Sequence, residues 1–449
     1  MAAQAFPDDF VWGAATSAYQ IEGSVRADGR GESIWDRFSH TPGNVINGDT
    51  GDIACDHYVR WRDDIALMRE LQLKAYRFSI AWPRIIPTGT SAVNEAGLSF
   101  YERLVDGLLE AGITPYPTLY HWDLPQPLQE AGGWTSRATL DRFLDVVDTV
   151  TRRLGDRVAN WMTINEPLIA GHWGHSLGFH APGGRSWKDG LAASHHLLLA
   201  HGRAVEVVRG NVDDAKVGIV LNPMPAIPAS DAQSDADAAE RWDGIANRFY
   251  LQAIAGDGYP GDVHELMAEH MPPIHDRDMA VIATPTDFLG INYYSPIYVS
   301  SGPEPTGVSF AVPPPNIETT AMGWPIQPDV LLETLRRINR DYYPGPLYLA
   351  ENGAAIDDRD PVEGRVRDGA RIDYLFGHLD AVWRAIGDGV PVQGYFAWSL
   401  IDNFEWSNGY SSRFGLVYVD FATQMRTIKD SGHWYASVAD GNQLSSTVR

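Results

Sequence analysis

The sequence predicts an α/β protein that folds as a single-domain (β/α)8 TIM barrel with elaborated βα loops, spanning residues 1–449. Short apolar runs alternate eight times with longer segments of helical periodicity. No low-complexity linker divides the chain, and barrels of this kind exceed 400 residues as one unit. An open doubly wound sheet is the main alternative. It is disfavoured because no glycine-rich phosphate loop follows the first strand-like run.

The predicted strands are rich in β-branched and aromatic residues. In chain order they are "FVWGAATSA" (10–18), "AYRFSIA" (75–81), "TPYPTLY" (114–120), "NWMTINE" (160–166), "KVGIVLN" (216–222), "DFLGINYY" (287–294), "LYLAEN" (347–352) and "VQGYFAWSL" (392–400). Segments such as "DHYVRWRDDIALMRELQL" (56–73) and "SRATLDRFLDVVDTVTRRL" (136–154) repeat apolar residues three and four apart, and Ser136 is expected to cap the second. Residues 301–325 are proline-rich and predict a long functional or unstructured loop.

Composition narrows the class of partner. The net charge of −23 opposes binding to nucleic acid or to an anionic membrane, so we expect a neutral or cationic small-molecule substrate. No apolar run approaches the roughly 18 residues that span a bilayer, and the first residues lack a secretory pattern, which predicts a cytoplasmic protein. Cys55 is the only cysteine, which excludes an intrachain disulfide, and we expect it to be a core residue. The oligomeric state stays open.

Polar residues follow nearly every predicted strand. In a closed barrel the carboxyl ends of the strands meet at one face, where active sites are built. Each residue alone could cap a helix or pack in the core, but together they predict a site. They are Gln20, Glu22, Arg77, His121, Trp122, Asn165, Glu166, Asn222, Asn292, Tyr293, Tyr294, Glu351, Asn352 and Trp398.

Glu166 and Glu351 each end an apolar strand, where a carboxylate must be paired, protonated or used. Two carboxylates in an uncharged polar setting suit glycoside hydrolysis, which needs one group protonated and the other ionised. Tryptophan faces suit the C–H face of a sugar, and the chain has 15 tryptophans. Arg77 interrupts an apolar strand and should have a carboxylate partner, and pairing with Glu351 would keep that group ionised. Glu166 has no basic neighbour in sequence, so we expect a raised pKa.

The segment "GHWGHSLGFHAPG" (171–183) contains three histidines, His172, His175 and His180. It has no acidic or cysteine ligand at suitable spacing, so we predict a wall of the entrance and no metal. No cofactor motif is present either. His195 and His196 lie in a helical segment and are expected to be packing residues.

Eight blocks of sequence carry a family resemblance. "FVWGAATSAYQIEG", "DIACDHYVRWRDDI", "YRFSIAWPRIIPTG", "YHWDLPQ", "WMTINEP", "INYYSP", "AENG" and "WSLIDNFEWSNGYSSRFGL" together resemble glycoside hydrolase family 1, the β-glucosidase family, from about Phe10 to about Tyr435. The resemblance implies a (β/α)8 barrel that hydrolyses β-glycosides with retention, with Glu166 as acid/base and Glu351 as nucleophile.

The resemblance also implies the remaining site residues. It assigns Arg77 and Tyr294 to holding the nucleophile. Trp324 looks like the platform for the aglycone, with Asn222 nearby. The residues that it implies for sugar binding are Gln20, His121, Asn165, Trp398, Glu405 and Trp406, and Trp122, Asn292 and Phe414 complete the predicted substrate site.

Glu405 and Trp406 stand where phospho-glycosidases of the family carry small and basic residues, which predicts little hydrolysis of 6-phosphoglycosides. Plant thioglucosidases of this kind lack the acid/base glutamate, whereas this sequence has Glu166 at that position. We therefore expect an O-glycosidase acting on terminal β-D-glucosyl residues of cellobiose, short cello-oligosaccharides and aryl glucosides, with some β-galactosidase and β-fucosidase activity. A transglycosylase would share every catalytic residue and stays an alternative. An inactive sugar-binding protein is a weaker alternative, because both glutamates are present.

Overall fold

The computed structural model describes residues 4–90, 92–358 and 360–444. Eight parallel strands close into a barrel in which each strand pairs with its neighbours in sequence and the last pairs with the first. They are β1 (Val11–Ala15), β2 (Ala75–Ser79), β3 (Thr114–Tyr120), β4 (Asn160–Asn165), β5 (Lys216–Leu221), β6 (Phe288–Asn292), β7 (Leu347–Asn352) and β8 (Val392–Trp398). Each lies inside one of the predicted runs, so the predicted fold class is confirmed.

Helices follow every strand of the barrel. The long ones are His57–Glu70, Glu95–Glu110, Ala138–Leu154, Trp187–Asn211, Gln233–Asp243, Phe249–Ala255, Pro328–Asp341, Gly369–Gly387 and Asp430–Gly441. The short α-helices are Ala18–Ile21, Ile34–Ser39, Trp82–Ile85, Gln126–Glu130, Gly261–Leu266 and Asp278–Ile282. Wide π-helical turns cover Ile169–Ser176 and Gly244–Arg248, and 3₁₀ turns cover Ala27–Gly29, Ile46–Gly48, Gly133–Thr135 and Trp406–Asn408.

Helical periodicity explains how these helices pack. In Glu95–Glu110 the buried residues Leu98, Tyr101, Leu104, Val105 and Leu108 recur three and four apart and form one face. The predicted cap of the helix Ala138–Leu154 is wrong. Ser136 lies one position too early, because Arg137 occupies the capping position, and no side chain caps this helix.

The interior of the barrel is filled rather than hollow. Tyr116, Phe288 and Phe396 pack inside it, with ring centroids 5.1 Å apart for Tyr116 and Phe396. Trp398 and Phe414 belong to the same cluster. The packed interior therefore forms a rigid floor beneath the carboxyl ends of the strands.

Short strands add small sheets outside the barrel. Gln4–Ala5 pairs with Gln443–Leu444, and Val417–Asp420 pairs with Met425–Ile428. A three-stranded sheet consists of Ala226–Pro228, Ile297–Ser301 and Val308–Ala311. The predicted loop at 301–325 is thus partly wrong, because "VSFA" pairs antiparallel with Ile297–Ser301. Among the helices of the described residues, none combines the length and the apolar character needed to cross a membrane.

Candidate active site

A cavity of about 730 Å³ opens at the carboxyl ends of the barrel strands. Most of the predicted site residues line it: His121, Trp122, Glu166, Asn222, Asn292, Tyr294, Trp324, Glu351, Trp398, Glu405, Trp406 and Phe414. Gln20, Arg77 and Asn165 are not among the lining residues; they are fully buried and contact the residues that line it. The convergence of strand ends that the sequence predicts is therefore confirmed.

Glu351 is held by two donors. The Arg77 guanidinium forms an ion pair with Oε1 of Glu351, and the Tyr294 hydroxyl donates to Oε2 at 2.5 Å. Arg77 also donates to the Ala350 carbonyl at 3.2 Å and to Oδ1 of Asn165 at 2.6 Å, which fixes its plane. The carboxylate partner that we expected for Arg77 is thus Glu351. The pair stabilises a charged carboxylate in a fixed orientation.

The residues after Glu351 bring β7 and β8 together. A β-carbon at Gly353 would lie 1.8 Å from the carbonyl oxygen of Trp398, so only glycine fits there. Asn352 donates from Nδ2 to the Tyr293 carbonyl at 2.6 Å. This close approach places Glu351 and Trp398 at the same mouth.

Glu166 has a different environment. Nδ2 of Asn292 donates to Oε1 of Glu166 at 2.5 Å, and no lysine or arginine of the described residues forms an ion pair with this carboxyl. Burial and the charge of Glu351 raise the pKa of Glu166 well above its usual range, outweighing the Asn292 hydrogen bond and the more distant Arg77. Burial and the neighbouring charge therefore disfavour the ionised form of Glu166, in the direction that the sequence predicts.

Three residues of the cavity have left-handed backbone conformations. The φ angles are +47° for Glu166, +78° for Trp122 and +47° for Trp406. Such angles strain non-glycine residues and concentrate at functional sites. The Trp122 indole donates to the Asn165 carbonyl at 2.9 Å, which ties the end of β3 to the end of β4.

Glu405 is the third carboxyl group of the cavity. Burial and the charge of Glu351 raise its pKa to about 8, against the lowering effect of Gln20. The Gln20 amide donates to Glu405 at 3.3 Å, to Asn403 at 3.0 Å and to the Phe404 carbonyl at 2.9 Å. In this structure Gln20 thus positions the loop that carries Glu405 and does not itself reach the cavity.

His121 is neutral and lies between aromatic rings. Its Nε2 is 3.1 Å from Nδ2 of Asn165, and burial with the charge of Arg77 lowers its pKa well below the usual range. Its Nδ1, Oδ1 of Asn222 and Oδ1 of Asn292 are buried without a hydrogen-bond partner within the described part of the chain. Unpaired buried polar atoms at a cavity are typical of groups that bind a polar ligand.

Aromatic rings form the walls. Tyr294 lies 5.6 Å from Trp324 and 6.0 Å from Phe414 between ring centroids, and Trp122 lies 4.5 Å from Trp406. Phe310 also lines the cavity, and no individual prediction covers it, although it lies in the proline-rich segment that the sequence indicates as a candidate functional loop. Trp173, which the sequence places near the entrance, also lines the cavity, and lining residues without an individual prediction include Phe179, Met224, Ile297, Tyr298 and Met322.

Several strand-end and histidine residues lie elsewhere. Glu22 pairs with Arg84 at 2.7 Å and is a structural residue. His180 lines the cavity, as predicted for a wall, whereas His172 and His175 are buried behind it. The described residues contain no group of histidine, cysteine and acidic side chains that would hold a metal ion.

Three residues that the sequence predicts to be packing residues, His195, His196 and Cys55, are buried, which confirms the prediction. His195 and His196 are buried in the helix Trp187–Asn211. Cys55 is fully buried, and burial raises the pKa of its thiol. None of these three residues lines the cavity that the described part of the chain forms.

The chain is similar to known proteins along nearly its whole length. β-Glucosidase A of Thermotoga maritima is 50% identical over 441 residues, which cover 98% of this chain and 98% of that protein. A bifunctional β-D-glucosidase/β-D-fucosidase of Bifidobacterium breve is 46% identical over 453 residues, covering 96% of this chain and 97% of that protein. The solved structure of a family 1 β-glucosidase from Thermotoga maritima matches with a TM-score of 0.96 at 49% identity, covering 99% of this chain and 100% of that one.

The family assignment follows from the match along nearly the whole chain. The model of the family described as "Glycosyl hydrolase family 1" matches residues 2–444. The chain is a glycoside hydrolase and belongs to glycosyl hydrolase family 1.

Proposed function

We propose that the chain is a retaining β-glucosidase, acting as one catalytic unit, that removes terminal β-D-glucosyl residues from the non-reducing ends of β-glucosides. The observation that carries this proposal is the difference between the surroundings of two carboxyl groups that line one cavity. Glu351 is paired with Arg77 and Tyr294, whereas Glu166 has no cationic partner within the described residues and a raised pKa. Retaining hydrolysis needs one ionised nucleophile and one protonated acid.

The first step breaks the bond to the aglycone. Glu166 donates its proton to the glycosidic oxygen while the Glu351 carboxylate attacks the anomeric carbon. The aglycone leaves with the proton, and the glucosyl group is esterified to Glu351. Tyr294 and Arg77 hold the attacking carboxylate in place. When the ester forms, Glu351 loses its negative charge, so its ion pair with Arg77 is lost.

The second step restores the enzyme. Esterification removes the negative charge of Glu351, which is one cause of the raised pKa of Glu166. The pKa of Glu166 therefore falls, and its carboxylate takes a proton from a water molecule that attacks the anomeric carbon. The bond to Glu351 breaks, and glucose leaves with the configuration of the substrate.

The sugar hydroxyls have candidate partners among the residues that line the cavity. His121, Asn292 and Glu405 offer polar atoms at the cavity, and Trp398 and Trp406 offer ring faces. Gln20 and Asn165 are proposed to act through Glu405, His121 and Asn292, which they contact from behind the lining. Trp324, Phe414 and Asn222 are proposed to contact the aglycone.

The substrate range is proposed from the same residues. Cellobiose, short cello-oligosaccharides and aryl β-glucosides are the expected substrates, and the bifunctional relative supports β-fucosidase activity as well. Glu405 and Trp406 line the cavity where phospho-glycosidases of the family carry small and basic residues, so 6-phosphoglycosides should be poor substrates. Because both carboxyl groups line the cavity, an inactive sugar-binding protein is disfavoured. A sugar acceptor in place of water in the second step would give transglycosylation with the same catalytic residues.

The test compares the wild type with Glu351→Gln on an aryl β-glucoside, and Glu110→Gln on an exposed helix position is the control. We expect Glu351→Gln to lose several orders of magnitude in kcat while it stays folded, and the control to match the wild type. Proton NMR of the first product should show β-glucose before mutarotation. An α-product, or an active Glu351→Gln variant, would refute the retaining mechanism with this nucleophile.

A further inference from the structure

A second, much smaller cavity lies behind the wall of the active-site cavity and is called the rear cavity below. Its volume is about 10 Å³, and Trp35, Trp122, His175 and His180 are among the residues that line it. Trp122 and His180 line the active-site cavity as well. One water molecule needs a volume of roughly 10–15 Å³. The rear cavity therefore has the size of a site for a single water molecule.

Three polar atoms of the residues around the rear cavity are buried and have no hydrogen-bond partner in the described part of the chain. They are Nε1 of Trp35, Nε2 of His175 and Nδ1 of His180. The side chains of Trp35 and His175 are almost fully buried, at 0% and 4% exposure. Buried polar atoms nearly always form hydrogen bonds, to protein or to ordered water. Three unpaired atoms around one cavity therefore indicate a polar occupant.

The three atoms match one water molecule in the direction of their hydrogen bonds. The indole nitrogen of Trp35 only donates. Nδ1 of His175 lies 3.0 Å from the Ala170 carbonyl oxygen, which only accepts, so Nδ1 carries the proton and Nε2 is an acceptor. Burial lowers the pKa of His175 and His180, so each ring is uncharged at neutral pH and keeps one unprotonated nitrogen. One water molecule can thus accept from the indole and donate its two hydrogens to the two imidazoles.

A metal ion fits these groups less well. The N–H group of Trp35 is a donor and cannot act as a metal ligand. The two histidines would be the only ligands from side chains, and the described residues contain no group of three metal-binding side chains. Water therefore agrees with all three atoms, whereas a metal ion agrees with two.

The rear cavity lies next to a ring that is proposed to contact the sugar. The ring centroid of Trp35 is 4.5 Å from that of Trp406 and 5.3 Å from that of His180. The Trp122 ring is 4.5 Å from Trp406 and 5.6 Å from His180. Trp35 lies in the segment after β1, and His180 lies in the segment after β4. A water molecule bound here therefore joins two segments that support the ring of Trp406.

The backbone on both sides of the rear cavity is held by other hydrogen bonds. The amide of Ile34, next to Trp35, donates to the Leu124 carbonyl at 2.8 Å. The amide of His180 donates to the Trp173 carbonyl at 3.1 Å. These bonds hold the walls of the cavity in place, so a water molecule can complete the hydrogen bonds of the lining without a rearrangement.

We propose that the rear cavity binds one water molecule, which accepts a hydrogen bond from Trp35 and donates one each to His175 and His180. Through this water molecule the three residues act as positioning residues for Trp406. The positioning role rests on the proposed function, because it concerns a ring that is proposed to contact the sugar, whereas the binding of water does not. The inference also explains why the segment 171–183 has two uncharged histidines behind the wall of the active-site cavity.

A crystal structure of the wild type tests the occupant directly. We expect one ordered water molecule whose oxygen lies about 2.7–3.2 Å from Nε1 of Trp35, Nε2 of His175 and Nδ1 of His180. Anomalous scattering from the same crystals distinguishes water from a metal ion held by the two histidines. An anomalous peak, or a rear cavity without ordered density, would overturn the proposal.

A double-mutant cycle tests whether the water molecule connects residues that do not touch. Within the described residues the rings of Trp35 and His175 make no contact with each other. Trp35→Phe and His175→Leu each remove one partner of the water molecule. The decrease in Tm of the double variant should therefore be smaller than the sum of the decreases of the single variants. Additive decreases would overturn the proposal.

The matched control for this cycle is His172→Leu. His172 is a buried histidine of the same π-helical turn, and it does not line the rear cavity. Combined with Trp35→Phe, its decrease in Tm should add to that of Trp35→Phe. Non-additive decreases in both cycles would show a general effect of the turn and would overturn the proposal.

Kinetics test the positioning of Trp406. In His175→Leu we expect KM for an aryl β-glucoside to rise about fivefold, the factor that corresponds to one hydrogen bond, and kcat to change less than about twofold. His172→Leu should leave both constants unchanged. An unchanged KM in His175→Leu would overturn the positioning role. If the wild type hydrolyses no glucoside while the water molecule and the first cycle are as expected, the proposed function fails and the water site stands.

Discussion

Glu166 and Glu351 each lie at the end of a buried strand and line the same cavity. The two carboxyl groups differ in the residues that contact them. Arg77 and Tyr294 contact Glu351, whereas the closest polar contact of the Glu166 carboxyl is the amide of Asn292. An amide stabilises a charged carboxyl less than a guanidinium does. In the proposed mechanism, the Arg77 and Tyr294 contacts therefore distinguish the nucleophile from the acid.

The effect of Glu166→Gln should depend on the leaving group. An amide cannot donate a proton, so cleavage of methyl β-glucoside should fall about 10²- to 10⁴-fold in kcat/KM. 2,4-Dinitrophenol leaves without protonation, so its glucoside should still react with Glu351 and give a stopped-flow burst followed by slow turnover. Equal losses on both substrates would contradict the acid/base role. Asn292→Ala serves as a comparison, because it removes the amide contact and keeps the carboxyl group.

The pH profile of the wild type tests the same group. Because the pKa of Glu166 is raised, its proton is lost only as pH rises through a pKa above the usual range of a glutamate. For methyl β-glucoside, kcat/KM should therefore fall on the alkaline side. For the dinitrophenyl glucoside this alkaline limb should be absent, since its cleavage needs no acid. An identical alkaline limb for both substrates would assign the limb to another group.

At the level of elements, a buried ion network holds the loop that follows β8. Asp402 accepts from Nζ of Lys429 at 2.7 Å, from Arg413 at 2.7 Å and from the Gly415 amide at 2.9 Å. Lys429 also contacts Asp358, in the loop after β7. The network therefore joins two loops at the mouth of the barrel, including the one that carries Glu405 and Trp406.

Removing Lys429 should destabilise the protein strongly. Lys429→Met would remove the buried cation that Asp358 and Asp402 share and leave each with only its arginine partner, Arg371 or Arg413, and breaking buried pairs in this way costs about 3–5 kcal/mol. The matched control is Arg365→Ala, which breaks an exposed pair with Asp430 and should cost less than about 1 kcal/mol. Chemical denaturation measures both, and similar losses for the two variants would refute the difference. A raised KM for glucosides in Lys429→Met would link the network to Glu405.

The sequence predicts the strands and most of the cavity lining because both follow from local patterns. Apolar runs mark the strands, and the residue at each strand end marks the mouth. Arg77 and Asn165 have the expected place, but the sequence does not reveal that they lie behind the lining. The pairing of Val308–Ala311 and the contact of Lys429 with Asp358 depend on tertiary packing, so no local pattern predicts them.

For the molecule as a whole, buried carboxyl groups link stability to pH. Asp123 is 1% exposed, and neither of its carboxyl oxygens has a hydrogen-bond partner among the described residues. Burial raises its pKa to about 8, with further contributions from Glu22 and Asp36 and an opposing one from Arg30. The pKa of Glu405 is raised to about 8 as well. The folded protein thus holds protons that the unfolded chain releases.

Asp123→Asn should flatten the dependence of stability on pH. Because the folded pKa of about 8 exceeds the ordinary value of 3.8, stabilisation by this proton is complete below about pH 3.8 and is lost as pH rises to about 8. Relative to the variant, the wild type should lose up to about 1.4 kcal/mol per pH unit across that window. Denaturation at pH 5, 6.5, 8 and 9 measures the difference, which should become constant above pH 8. The free energy of unfolding of the exposed variant Asp63→Asn should change with pH as that of the wild type does. If the stability of Asp123→Asn also changes with pH as that of the wild type does, Asp123 is charged in the folded protein and has a partner that offsets its burial.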